Sequence, residues 1–381
     1  MIYFDNGATT FPKPESVIEA VTDCMRNAGA NPGRSGHRLA LEASRVILQA
    51  RMELAELFHI ENPMRIAFVK NATEALNYGI QGFLQEGDHV ISSAMEHNSV
   101  ARPITALKER GVRHSFCRCD RDGFLDMEAF EAAFDEDTKL VALTHASNVT
   151  GAVNDLERIG AICAEKGAVL LVDAAQSAGV FPIDVQAMNI GVLCAPGHKG
   201  LYGPMGTGLI YLREDIALSP LLFGGTGSVS ESLEHPLMMP DALEAGTENA
   251  PGIAGLLAGV RFVREKGIDA IRRQERELTA YFIESLSDLP GIRFYGGEDL
   301  FRRCGVVSFN IGEIPSTEVA RRLDQDHDIA VRSGLHCSAL AHRILGTEKQ
   351  GVVRASFSCF NTKEEVDIFA RALRKMVGED V

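Results

Sequence analysis

The chain has 381 residues, 45% apolar and 24% charged, with 8 cysteines and no tryptophan. Its 38 basic and 52 acidic side chains leave a net charge of −14, which argues against nucleic acid or an anionic membrane surface as the main partner. At roughly 150 residues per domain the length suggests two or three folding units, and the cysteines are too sparse for a disulfide scaffold. The first ten residues lack a secretory signal, and no apolar run approaches the roughly 20 residues that span a bilayer. A reduced, soluble, cytoplasmic protein is expected.

From Arg65 to Tyr211 short apolar runs alternate with amphipathic stretches. Arg65–Val69, His89–Ser93, Val112–Cys117, Leu140–Thr144, Ala168–Val172 and Ile190–Cys194 read as strands, several too apolar to keep a solvent face. Helical patterns over Ala72–Leu84, Met127–Phe134 and Asp155–Lys166 fall between them. This alternation predicts an α/β domain whose mostly parallel sheet is covered on both faces. Gly206–Leu212 follows a glycine-rich turn with no room for a helix, so it is expected to return antiparallel. Near Ala250 the rhythm changes, and one long helical stretch is expected from Ile253 to Leu286. Val306–Asn310, Ile329–Arg332 and Val352–Phe357 then read as strands, with helices around Ser316–Gln325 and from Thr362. They predict a smaller α+β domain, with the boundary inside the long helix.

Ligands of open α/β sheets bind beyond the carboxyl ends of the strands. Successive strand ends are followed by Asn71-Ala72-Thr73-Glu74, Glu96-His97-Asn98, His145-Ala146-Ser147-Asn148, Asp173-Ala174-Ala175-Gln176 and Gly197-His198-Lys199-Gly200. The first opens a helix and is either a phosphate seat or an ordinary cap. Any one of these polar residues is unremarkable in a loop; five groups converging on one sheet edge point to a site.

Asp173 and Lys199 are the most informative pair. A lysine whose surroundings favour the neutral amine forms an imine with a carbonyl cofactor. Pyridoxal phosphate needs such a lysine, a carboxylate for its pyridinium proton and a phosphate cradle. Lys199, Asp173 and the segment from Asn71 to Thr73 meet those needs, with His97 the candidate to cover the ring. A second constellation, Arg332-Ser333-Gly334-Leu335-His336-Cys337, sets a cysteine in a polar, glycine-containing segment. Nearby positive charge favours the nucleophilic thiolate, and Arg332, His336 and Arg354 are its candidate sources. Cys163 and Cys194 sit in apolar patterns and read as core. Cys117 and Cys119 have no second pair to complete a zinc site, so no metal is expected.

With these motifs the sequence resembles group II cysteine desulfurases and selenocysteine lyases, fold-type I pyridoxal-phosphate enzymes of aminotransferase class V. The likeness runs from Asp5-Asn6-Gly7-Ala8-Thr9-Thr10, through Val172–Gln176 and Gly197–Gly200, to Arg354–Phe357 and Asn361-Thr362. It implies a large domain (16–255) with a mainly parallel seven-stranded sheet and a smaller C-terminal α+β domain (256–381) carrying the reactive cysteine. Residues 1–15 would pack with the small domain. The implied cofactor is pyridoxal 5′-phosphate. Lys199 would hold it and shuttle protons, Asp173 would pair with its ring nitrogen, His97 would stack on the ring, and Gln176 would meet the phenolic oxygen. Ala72, Thr73 and His198 would bind phosphate, with Thr247 reaching the neighbouring subunit's phosphate in a homodimer. Asn148, Arg332, Arg354, Arg34 and His37 are the implied substrate-binding residues, and Cys337 would take sulfur from L-cysteine as a persulfide and hand it to an acceptor protein. Selenocysteine lyase, and a class V aminotransferase or lyase with an incidental Cys337, are the alternatives. Pro196 stands where many relatives carry a phosphate-binding Ser or Thr, and Asn31–His37 suggests a distinct subgroup.

Overall fold

The structure is a computed structural model that describes residues 1–33 and 35–379. In chain order the first body comprises β1 (Ile2–Tyr3), α1 (Glu15–Asn27), α2 (Arg38–Leu57), β2 (Ile66–Val69), α3 (Ala72–Gln81), β3 (His89–Ser93), α4 (Asn98–Ala106), β4 (Arg113–Cys117) and α5 (Met127–Ala132). It continues through β5 (Thr138–Thr144), α6 (Leu156–Lys166), β6 (Val169–Asp173), β7 (Ile190–Pro196), β8 (Gly208–Leu212) and α7 (Ala250–Lys266). There follow α8 (Ile268–Leu286), β9 (Ile292–Tyr295), β10 (Val306–Ile311), α9 (Ser316–His327), β11 (Ile329–Ala330), β12 (Arg332–Gly334), α10 (Ala339–Leu345), β13 (Val352–Ser356) and α11 (Lys363–Glu379).

The large sheet has seven strands in the order β2-β8-β7-β6-β5-β3-β4. Pairing is parallel from β7 to β4, while β8 runs antiparallel to both β7 and β2, as its helix-free connection requires. Every residue of β2, β3, β7 and β8 is buried, the mark of a sheet covered on both faces. Because β8 alone is reversed, the carboxyl ends of the other six strands share one edge. At that edge Gly208 lies between Val69 and Pro196. A Cβ on Gly208 would come within 3.0 Å of the Asn71 backbone, so glycine lets the start of α3 settle against the sheet.

The stretch expected as one helix from Ile253 to Leu286 is two. Gly267, at φ 83° and ψ 129°, ends α7 and begins α8, a conformation that side chains resist. The apolar face of α7, including Ile253, Leu256 and Val260, packs into the large domain's core. Leu278, Phe282 and Leu286 of α8 pack into the other. A division at residue 255 would therefore cut through the buried face of α7. Similarly, Ile329–Arg332 is two strands, β11 pairing with β1 and β12 with β13.

The small body is an antiparallel sheet, β12-β13-β10-β9, backed by α8, α9 and α11. Its centre is a phenylalanine cluster in which Phe4 touches Phe282, Phe357 and Phe369 at ring separations of 5.2–6.5 Å. Phe4 is fully buried there, which contributes about 2–3 kcal/mol of apolar transfer free energy and ties the first residues of the chain to the last domain. Among the described residues no helix is long and apolar enough to cross a membrane, and no group of three metal-ligating side chains occurs.

Candidate active site

Ala72, Thr73, His97, Asn148, Asp173, Gln176, His198, Lys199 and Arg332 all line one cavity of about 220 Å³ at the shared strand edge. Each arrives for a local reason. Asn71 caps α3 by accepting the Glu74 N–H at 3.0 Å, which leaves Ala72 and Thr73 in the open first turn. His97 caps α4 with its own ring, Nδ1 accepting the Ser99 N–H at 3.0 Å. That bond makes Nδ1 a lone-pair acceptor, so the neutral ring carries its proton on Nε2. Burial, then the nearby Lys199, Arg332, Arg354 and Arg102 cations, lower the His97 pKa to about 4, so the ring is neutral.

Asp173 ends β6, 2% exposed, and accepts the Ala175 N–H at 2.9 Å. Burial raises its pKa, opposed by that hydrogen bond and by Lys199. Burial, and then Arg354, lower the Lys199 pKa to about 8, with Asp173 acting in the opposite direction. Roughly one amine in ten is then neutral at pH 7, against about one in three thousand for an ordinary lysine. The loop bearing Lys199 is held from the N-terminal segment: Thr10 Oγ1 donates to the Lys199 carbonyl at 2.6 Å, and Lys13 Nζ to the His198 carbonyl at 2.7 Å. His198 is neutral, its pKa lowered to about 4 chiefly by burial, and its buried Nδ1 has no hydrogen-bond partner.

Cys337 stands beside Arg332 of the cavity wall. Of the eight cysteines it alone is exposed. Cys117 and Cys119 are buried, and burial pushes their thiols up to about 11 and about 12, as suits inert core residues. The Cys337 turn is tight, with φ of 99° at Gly334, 48° at His336 and 58° at Cys337. Two non-glycine residues in the left-handed region cost roughly 1–2 kcal/mol each, so other contacts must hold them. Asn148 does so from both ends of its amide: Nδ2 donates to the His336 carbonyl and Oδ1 accepts from Ser338 Oγ, each at 2.8 Å. The Asn98 N–H donates to the Cys337 carbonyl at 2.6 Å.

Of the expected sources of positive charge, only Arg332 reaches the thiol, with Nη2 3.9 Å from Sγ. His336 turns inward against the Val352 carbonyl, and burial keeps it neutral with a pKa lowered to about 2. Arg354 is 1% exposed, donating to Asp5 Oδ1 at 2.9 Å and to the Asn148 carbonyl at 3.1 Å, with Nε unpartnered. It backs the cavity rather than lining it.

Other expected site residues lie elsewhere. Thr247 lines a separate cavity of about 160 Å³ with Lys70 and Gly206. His37 is an exposed cap of α2. Arg34 lies outside the described residues. Sequence reasoning passed over Ser99, which lines the main cavity, and Asp5, Thr10 and Lys13, which brace Arg354 and the Lys199 loop. Only Ser99 left a signal: a hydroxyl two residues after His97.

The family model described as Aminotransferase class-V matches residues 2–369. A probable cysteine desulfurase of Methanothermobacter thermautotrophicus is 37% identical, covering 99% of this chain and 95% of its own. The apo structure of a cysteine desulfurase from Thermococcus onnurineus NA1 superposes with a TM-score of 0.93 at 36% identity, over 99% of this chain and 95% of that one. The Escherichia coli cysteine desulfurase CsdA, in an S-sulfonic acid form, gives 0.89 at 28% identity, over 100% and 95%.

Proposed function

From its membership of the aminotransferase class V family, to which this chain belongs, we propose that the protein is a pyridoxal-phosphate-dependent cysteine desulfurase, converting L-cysteine to L-alanine and keeping the sulfur on Cys337. The observation that carries this reading is the join between two sites. Asn148, a wall of the Asp173–Lys199 cavity, is also the clamp of the turn that presents the one exposed thiol.

The residues present fit the cofactor. A buried amine held partly neutral, a buried carboxylate without full charge compensation, and an unpartnered buried imidazole nitrogen match an aldehyde, a ring N–H and a phosphate. Bound there, pyridoxal phosphate supplies an electron sink that acidifies the substrate Cα–H and lets the Cβ–S bond break.

The chain supplies the rest. Lys199 would anchor the cofactor's aldehyde, and its amine would move the proton at the substrate Cα. Asp173 would hold the ring nitrogen's proton, His97 would cover the ring, and Gln176 would meet the phenolic oxygen. Ala72, Thr73 and His198 bind the phosphate. Arg332 and Arg354 are the guanidinium groups for the substrate carboxylate, with Asn148 beside them.

The Cys337 thiolate attacks the substrate sulfur, forming an S–S bond as the Cβ–S bond breaks. The bonding pair stays with carbon, which takes up a proton and leaves as alanine; Cys337 is left as a persulfide. A homodimer in which Thr247 serves the neighbouring copy's phosphate accounts for its place in a separate cavity, and a protein acceptor then takes the sulfur. Single turnover with L-cysteine tests the assignment. Alanine should appear in step with one added sulfur on the Cys337 peptide, and cofactor-loaded protein that yields neither would refute it.

A further inference from the structure

We propose that Ser99 is a second hydroxyl ligand for the cofactor phosphate, paired with Thr73; this rests on the pyridoxal-phosphate reading above. Thr73 and Ser99 are each the second residue of a helix, α3 and α4, and the two helix starts converge on the same cavity. Their Oγ atoms are 2.8 Å apart. An anion that reaches one hydroxyl is therefore beside the other.

The donor inventory of the two helices singles out the Ser99 hydroxyl. In α3 the first two N–H groups, of Ala72 and Thr73, have no intrahelical acceptor and are free to meet an anion. In α4 the corresponding groups are used up. The Asn98 N–H serves the Cys337 carbonyl, that of Ser99 serves His97 Nδ1, and those of Val100 and Ala101 serve the His97 carbonyl. The hydroxyl of Ser99 is thus what α4 has left to offer. Opposite, Pro196 lines the same cavity with neither an N–H nor a hydroxyl.

Turning that hydroxyl to a phosphate leaves no buried group stranded. Ser99 Oγ now lies 2.9 Å from His97 Nδ1, but Nδ1 already accepts the Ser99 N–H. The hydroxyl exchanges a redundant bond to a neutral ring for one to a charged oxygen, and bonds to ionised partners are roughly twice as strong.

The test compares release of pyridoxal phosphate and of pyridoxal from the loaded protein, followed by the visible absorbance of the Lys199-bound group. Ser99→Ala keeps the backbone N–H that caps His97 and removes only the hydroxyl. It should speed release of pyridoxal phosphate about tenfold, equivalent to about 1.4 kcal/mol, and leave pyridoxal release unchanged. Ser99→Thr should restore the wild-type rate. Unchanged pyridoxal phosphate release would overturn the proposal. So would equal acceleration for both compounds, which would mark an effect through His97 or the fold. A wild-type protein that develops no visible band with either compound would refute the cofactor reading itself, and this inference with it.

Discussion

Arg332 and Arg354 sit directly opposite each other across the β12–β13 pair. Like charges in that position repel, and Arg332 adds to the burial that holds Arg354 below the usual guanidinium pKa. Asp5, from the far end of the chain, offsets the repulsion by pairing with Arg354. Of the two guanidinium groups, Arg332 lines the cavity and Arg354 stands behind it, held by Asp5.

Asp5→Asn should accordingly destabilise the protein by roughly 2–3 kcal/mol. That is below the range for a fully buried pair, because Asp5 remains 22% exposed. Adding Arg332→Gln should recover part of the loss. Urea midpoints for the single and double variants measure both effects, and a double variant no more stable than Asp5→Asn alone would show that the two arginines do not repel.

Lys199→Met should stabilise the cofactor-free protein near neutral pH. The folded-state pKa of about 8 lies below the ordinary 10.5, so between those values the unfolded chain binds more protons and stability rises with pH. The penalty is complete below about pH 8, on the order of 3 kcal/mol, and fades towards pH 10.5. The stabilising effect of the variant should fade in the same window. A pH-independent difference would mean that packing, not charge burial, is being measured.

Cys337→Ser should abolish persulfide formation and lower alanine production at least a thousandfold, while leaving the cofactor absorbance intact. Arg332→Gln should slow alkylation of Cys337 by iodoacetamide several-fold, since it removes the cation 3.9 Å from the sulfur. Mass spectrometry of the Cys337 peptide reads both. His336→Gln should leave the alkylation rate within twofold, because that imidazole is neutral and turned away.

Gly208→Ala should displace the start of α3 by a few tenths of an ångström, because the new methyl meets backbone atoms of Asn71 and Ala195 at 3.0–3.1 Å. A cost of about 1–2 kcal/mol in stability is expected, with faster loss of the cofactor. Thermal unfolding and the visible absorbance report the two separately.

The strand ends were legible because fully buried parallel strands have an apolar signature, and the polar residues that interrupt it mark the edge where ligands bind. Asp173, Lys199, His97 and Asn148 are readable for that reason. The break at Gly267 is not, because the apolar periodicity of α7 runs on into α8 and glycine within a helix costs only about 1 kcal/mol. The orientation of His336 depends on β13, and the support of Arg354 by Asp5 spans 349 residues, so neither leaves a local trace. Adjacency to Cys337 suggested a charged His336; burial in the fold decides otherwise.

The docking of Phe4, Asp5 and β1 onto the last domain has a consequence during synthesis on the ribosome. These residues must wait for partners made much later in the chain: β1 for β11, and Asp5 for Arg354, 349 residues on. At about 5–20 residues per second that delay is roughly 20–70 s. The large sheet can form in the interval, but the Lys199 loop is braced by the same N-terminal segment. A nascent chain therefore completes the brace of the Lys199 loop and the Asp5–Arg354 pair only after the strands of the second body have been made.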